Sequence, residues 1–365
     1  MNICIIGDGL TSLSLANNLI NKKINVHIYY IKKNNNLSLN RTIGISKNNL
    51  EFYKKEILDI KKKNIWKIKQ IEIYSDKLKN NKILNFEMNK DNILFIVKNN
   101  ELYKSLIKKL SKSKFFKKKI IKNNTFYQKL LRENKYDLII NCDPKNFISK
   151  KYFSKTINKT YDSSAYTTIL QHKVLKNNTA IQIFTKYGPI AFLPISNKET
   201  SVVYSLDFAK NKFDKNKVIN LIKKYNPKFK IKKIKKINKF ELKSSNLRNY
   251  YYKNISAFGD CLHKIHPLAG QGFNMTIRDI KVISEIIQNR IDLGIQLDSS
   301  ILEEFQKKTK HLNFIYSKGV DFIHEFFNFE KKVKGQNLNK IIQFFGKNKK
   351  LNNMFMKYAD RGLNL

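Results

Sequence analysis

The stretch NICIIGDGLTSLSLANNLINKKINVHIYY, residues 2–30, decides the fold. An apolar run, Ile3 to Ile6, stops at Gly7-Asp8-Gly9, after which Leu10, Leu13, Leu15, Ala16, Leu19 and Ile20 recur at helical spacing. A second apolar run, Ile24 to Ile31, completes a β-α-β unit. Such a unit sets a helix N-terminus at the end of a strand, where glycines let the backbone approach a pyrophosphate and free amides receive it. The pattern Gly7-Asp8-Gly9-Leu10-Thr11-Ser12 departs from the full glycine motif, since Ser12 stands at the third glycine. The acidic residue expected about 20 residues on is also replaced, by Tyr29, Tyr30 and Ile31. Taken alone, the motif leaves open a tight turn in an α/β domain that binds no nucleotide.

Further along, the alternation over 65–96 suits strands, the stretch 101–110 has helical period, and 40–57 reads as a loop leading into a helix. The run YDLIINCDP is a continuous apolar strand ending in a turn at Asp143. Between Ala165 and Leu206, apolar strands alternate with turn residues, as in an antiparallel sheet. A later stretch, AFGDCLHKIHPLAGQGFNMTIRD (257–279), concentrates Gly, Pro and His in a chain dominated by Lys, Asn and Ile. A strand there delivers Gly259-Asp260, and Gly270 and Gly272 bracket Gln271 before a helix. A carboxylate at a strand end suits a polyol hydroxyl, and amides at a helix start suit a carbonyl or anion. His263 and His266 read as polar loop residues; as metal ligands they lack a carboxylate or thiol to complete a set, so no metal site is expected.

Composition narrows the class. With 42% apolar residues in 365, the chain can bury a sizeable core and is not a disordered polymer. No apolar run is long enough to span a bilayer, and the start shows no leader, so the chain is expected to stay in the compartment where it is made. Cys4, Cys142 and Cys261 are scattered and suit neither a zinc site nor a disulfide framework. The formal charge of +44 invites a nucleic-acid reading, but only six of 72 basic residues are Arg and the Lys are spread throughout. Bidentate phosphate and base contacts favour Arg, so nucleic acid is not the expected partner; anionic lipid headgroups remain compatible with the charge.

Taken in order, these motifs resemble the FAD-dependent hydroxylases of the para-hydroxybenzoate hydroxylase fold, and more narrowly the ubiquinone-biosynthesis (UbiH/UbiF/VisC) family. The segment NNTAIQIFTKYGPIAFLPISNKETSVVYSL (177–206) and the 257–279 stretch carry the resemblance most specifically, together with NRTIGISKNNLEFYKKE around Arg41. It implies an α/β (α+β) fold in which a Rossmann-like FAD-binding domain (1–62, 98–150, 250–293) is interleaved with a mainly antiparallel substrate sheet (63–97, 151–249), followed by a helical C-terminal region (294–365).

The resemblance also implies site residues. Gly7, Gly9, Leu10, Thr11 and Ser12 would form the dinucleotide turn, with Arg41 near the diphosphate or ribityl region and Asp143, at the family's Asp-Gly element, also binding the cofactor. Gly259 and Asp260 would meet the ribityl hydroxyls, Pro267 would lie beside the isoalloxazine, and Gly270, Gln271, Gly272, Phe273 and Asn274 would face its pyrimidine side. Pro189 and Phe192 are expected to line the substrate cavity, with core packing as the competing role. The implied reaction takes NAD(P)H and O2 through a flavin C4a-hydroperoxide to hydroxylate a polyprenylated phenol, with no protein nucleophile. Such a substrate lives in the bilayer, so a cytoplasmic chain would work peripherally at the inner face of a membrane, where other ubiquinone-biosynthesis proteins would be candidate partners. The apolar residues of 338–365, set among lysines, would suit an interfacial helix. Pro144 after Asp143 and Tyr30 in place of the acid depart from the family pattern, and keep open a flavin-free scaffold or a monooxygenase of another phenol.

Overall fold

Strand β1 (Asn2–Ile6) is buried from Ile3 onward, and helix α1 (Leu10–Asn21) is buried from Ser12 to Ile20. A helix covered on so many sides must give its polar residues partners: the Asn17 amide donates to the Leu13 carbonyl at 2.8 Å. This is the start of a computed structural model that describes residues 1–32, 41–76, 82–87, 91–123, 125–207, 213–266 and 270–332. Next come β2 (Asn25–Tyr30), β3 (Thr42–Ser46), α2 (Lys47–Phe52), β4 (Ile65–Ile68), β5 (Gln70–Ser75), β6 (Lys82–Glu87), β7 (Leu94–Lys98) and α3 (Asn99–Leu110). They are followed by β8 (Phe116–Ile120), α4 (Thr125–Arg132), β9 (Leu138–Asn141), α5 (Phe147–Tyr152) and the long β10 (Thr156–His172). The strands β11 (Thr179–Thr185), β12 (Gly188–Pro194) and β13 (Glu199–Asp207) precede α6 (Lys215–Lys224), β14 (Ile231–Ile234) and β15 (Asn238–Leu247). The chain then makes β16 (Tyr251–Tyr252), β17 (Ile255–Ala257), β18 (His263–Lys264), α7 (Gly272–Asp292) and α8 (Ser300–Lys332).

Three sheets result. The first runs β16-β17-β9-β1-β2-β8, parallel from β17 to β8, and is the Rossmann-like layer that the opening unit predicts. The second runs β18-β15-β10-β13-β12-β11-β5-β6, with β14 paired to β10; all its pairs are antiparallel except β5 with β11. The third is the small antiparallel sheet β3-β7-β4. This is the expected α/β class with an interleaved antiparallel sheet and a helical C-terminal part. Residues 42–46 form a strand where the sequence suggested a loop. TIGIS is too short to show a period, and its pairing with β7, some 50 residues on, is a tertiary fact.

The large sheet is covered differently on its two faces. On one, Val218, Leu221 and Ile222 of α6 pack with Ile190, Phe192, Val202 and Tyr204. Near its β6 edge, Ile73, Ile83, Leu84 and Phe184 meet Ile265, Met275, Tyr316 and Val320. That second cluster brings the large sheet onto the segment around the GQG turn and onto α8. Strand β18, just after Gly259-Asp260, adds a further tie by pairing with β15.

Candidate cofactor and substrate site

The three motifs lie at the C-terminal ends of the adjacent parallel strands β1, β9 and β17, and glycine is what lets them touch. Gly7 has φ +110°, and a Cβ there would lie 3.4 Å from Ser12 Oγ and 3.5 Å from both the Asp143 nitrogen and the Cys142 carbonyl carbon. Gly259 has φ +62°, and its Cβ would lie 2.6 Å from Thr11 Cγ2. The first turn of α1 is thereby held between the ends of β9 and β17. Gly9, by contrast, faces open space within 4 Å of where its Cβ would be. It caps α1 with no side-chain acceptor, and no acidic residue stands in the first turn. The amides of Leu10, Thr11 and Ser12 are thus presented beside an open approach, an arrangement that fits a pyrophosphate.

The second helix start has the same character. Gln271 stands at the N-cap of α7 but its side chain does not cap the helix, the first turn carries no acid, and Gly272 is exposed. Gly270 has φ +65° and lies against Gly44, its Cβ position being 3.7 Å from the Gly44 nitrogen. Asn274 is fully buried and serves this junction: its side chain donates to the Gly44 carbonyl and accepts from the Ser46 amide and from Asn49 Nδ2, each at 3.0 Å. Its carboxamide therefore positions α7 against β3 and α2.

Beneath the GQG turn lies a buried polar network that the sequence did not announce. His263 Nε2 donates to Asp279 Oδ2 at 2.5 Å, with both side chains 1% exposed, and Asn313 donates to Asp279 Oδ1 at 2.9 Å. Tyr316 donates to Gln271 Oε1 at 2.9 Å, and the Arg278 guanidinium stands 4.3 Å above the Tyr316 ring. Asp279 of α7 thus ties His263 of β18 to Asn313 of α8. The only advance signal was His263 and Asp279 flanking the same glycine stretch.

The other expected residues fall as follows. Asp260 is exposed just beyond β17. Asp143 Oδ1 accepts from the Lys145 amide at 3.0 Å, closing its own turn, while its main chain abuts Gly7. The Arg41 guanidinium stands 5.4 Å over the Phe240 ring of β15, on the large sheet. Phe273 is half-buried near the Tyr53 ring. Pro267 and the stretch 338–365 lie outside the described residues. Pro189 is paired directly across from Phe184, on the face that meets Met275 and Tyr316. Phe192 is fully buried against Phe229 and α6, so its ring packs in the core of that layer. Phe184, which was not singled out from sequence, faces the GQG segment instead.

The thiols are poorly suited to nucleophilic chemistry. Burial pushes the Cys4 and Cys261 thiols well up and Cys142 up to about 12, the last against a smaller opposing pull from the Ser12 hydroxyl. The protein groups at this junction bind and orient; a redox or oxygen-transfer step needs a bound group to carry it.

This fold is that of the FAD-dependent monooxygenases. It matches p-nitrophenol 4-monooxygenase from Pseudomonas putida with a TM-score of 0.77, over 100% of this chain and 98% of that one, at 12% identity. A probable FAD-dependent monooxygenase from Pseudomonas aeruginosa matches with a TM-score of 0.66, over 89% and 96%, at 14% identity. In sequence the chain is similar to the ubiquinone biosynthesis monooxygenase COQ6 of Dictyostelium discoideum, 24% identical over 241 residues, which are 52% of this chain and 49% of that protein. The chain spans about half the length of the curated relatives it matches. No protein-family model matches it.

Proposed function

We propose that the protein is an FAD-dependent monooxygenase that hydroxylates a polyprenylated phenol of ubiquinone biosynthesis, with NAD(P)H and O2 as co-substrates. The observation that carries this reading is the packing of Thr11 on Gly259 and of Gly7 on the Cys142-Asp143 peptide, which joins three separate motifs at the C-terminal ends of adjacent parallel strands. Bound FAD would supply the chemistry of oxygen activation. The chain's own groups hold and shield it: the α1 amides would receive the pyrophosphate, Asp260 the ribityl hydroxyls, and the α7 amides the pyrimidine carbonyl. The apolar cluster of Ile73, Ile83, Phe184, Ile265 and Met275, with Pro189 on the same face as Phe184, would keep water from that side of the site.

A prenylated phenol partitions into the bilayer, so the enzyme would act peripherally at a membrane surface. Supporting this, Phe314, Ile315 and Phe322 of α8 are exposed beside Lys318, and the chain carries a formal charge of +44. Among the described residues, no helix is long and apolar enough to cross a membrane. Tyr30 at the end of β2 favours the second reading, a flavin-free scaffold in a biosynthetic assembly.

One preparation separates the two readings: record the visible spectrum of the purified protein, denature it, and identify any released flavin. Stoichiometric FAD is expected. A colourless protein that takes up no added FAD would sink the monooxygenase. With FAD present, cells lacking the gene should accumulate a prenylated precursor one ring hydroxyl short; accumulation of no quinone precursor would move the substrate to another phenol.

A further inference from the structure

The end of β2 offers no carboxylate. Tyr29 turns to one side of the sheet, where its hydroxyl meets the Tyr136 hydroxyl at 2.8 Å and its ring packs on Phe126. Tyr30, one residue on, projects to the opposite face. The register Ile28↔Lys118 puts Lys118 of β8 on that same face, and its ammonium lies 4.1 Å above the Tyr30 ring and 6.0 Å from the Tyr103 ring of α3. From this aromatic seat it reaches Asp8 Oδ2 at 3.3 Å.

Asp8 is the residue between Gly7 and Gly9, and the Gly7 amide donates to the Tyr29 carbonyl at 2.8 Å, so the glycine turn and the end of β2 are directly joined. Both members of the ion pair are largely withdrawn from water, at 22% and 24% exposure. Among the described residues, Lys118 is the one hydrogen-bond partner recorded for the Asp8 carboxylate, and it engages a single oxygen.

We propose that Asp8, held by Lys118, accepts the hydroxyl hydrogens of the adenosine ribose of a bound dinucleotide, supplying from the glycine turn the carboxylate that β2 lacks. The proposal rests on the FAD reading. With the pyrophosphate on the α1 amides, the adenosine half extends towards the end of β2. An ammonium alone at that place would select a phosphorylated ribose, but Asp8 cancels its charge, and a neutral pair in which Lys118 engages one of the two carboxylate oxygens suits an unmodified diol. Lys118 is a positioning residue: its seat over Tyr30 fixes where the carboxylate stands.

The test measures FAD binding by quenching of flavin fluorescence in wild type, Asp8→Asn and Lys118→Met, with ADP and 2′,3′-dideoxyADP as competitors. Wild type should prefer ADP over its dideoxy analogue by about tenfold or more, as expected for hydrogen bonds to a charged acceptor. In Asp8→Asn that preference should collapse and FAD should bind about tenfold more weakly. Lys118→Met should narrow the preference without abolishing it. If Asp8→Asn keeps the wild-type preference, the proposal is overturned whatever happens to FAD affinity, because a loss shared by both competitors reports a disturbed turn. An unchanged preference in Lys118→Met would overturn the holding role. Failure of wild type itself to bind FAD would instead remove the cofactor reading, and is told apart by the wild-type titration alone.

Discussion

Replacing Gly259 with Ala tests whether the dinucleotide turn and the β17 loop are one unit. Two separate costs arise. The backbone sits at φ +62°, where an L-residue is disfavoured by about 1–2 kcal/mol. The new methyl would also stand 2.6 Å from Thr11 Cγ2, 2.9 Å from its Oγ1 and 3.2 Å from its Cβ. Rotating the threonine exchanges the first two contacts but leaves the third, so α1 or the loop must shift, at about 1–3 kcal/mol for overpacking. The total expected is about 2–5 kcal/mol of lost stability. Thr11→Ser deletes the methyl nearest the clash, so the double variant should regain much of the steric part while keeping the backbone part. Urea unfolding of wild type, both single variants and the double variant gives the coupling energy directly. Coupling below about 0.5 kcal/mol would refute the direct contact, since independent sites add to within that margin. A Gly259→Ala protein as stable as wild type would refute both costs.

Asn274→Ala should lower the denaturant midpoint at constant m-value by the equivalent of about 2–4 kcal/mol, because the Gly44 carbonyl and Ser46 amide each lose a buried partner; a loss under about 1 kcal/mol would deny the clamp. Glu199 gives a pH test. Burial would raise its carboxyl, but hydrogen bonds from Lys235, Lys98 and Gln171, with the charge of Lys98, outweigh this and hold it at about 2. A depressed folded-state value stabilises above the unfolded carboxyl range near about 4.3, and that stability is lost as pH falls towards 2. Glu199→Gln should therefore be less stable at neutral pH by up to about 3 kcal/mol, with the gap to wild type closing between about pH 4.5 and 2. A gap that stays constant over that range would show that the ion pairs do not link stability to pH.

Much of the site was legible because its demands are local. Glycine is favoured where the backbone takes positive φ and approaches a neighbour closely, so Gly7, Gly259 and Gly270 mark the turns whatever packs around them, although Lys23, Asn134, Asp162 and Lys253 also take positive φ. What those turns touch was not legible. Asn274 reads as one more polar residue at a helix start, and only folding brings it to Gly44 and Ser46, some 230 residues away. Phe192 and Pro189 sit in one strand with the side-chain period of two, and sequence places them on opposite faces without saying which face α6 covers.

The sequence by itself determined the opening β-α-β unit, the strand-rich middle and the resemblance to flavin hydroxylases, because periodicity and turn chemistry act over a few residues and stay legible in a composition dominated by Lys, Asn and Ile. The tertiary structure alone decided that Thr11 rests on Gly259, that His263 is locked to Asp279, and that Lys118 carries Asp8 to the end of β2. Each of these is a contact between distant segments whose energy depends on distance and burial, and neither quantity exists until the sheets have packed.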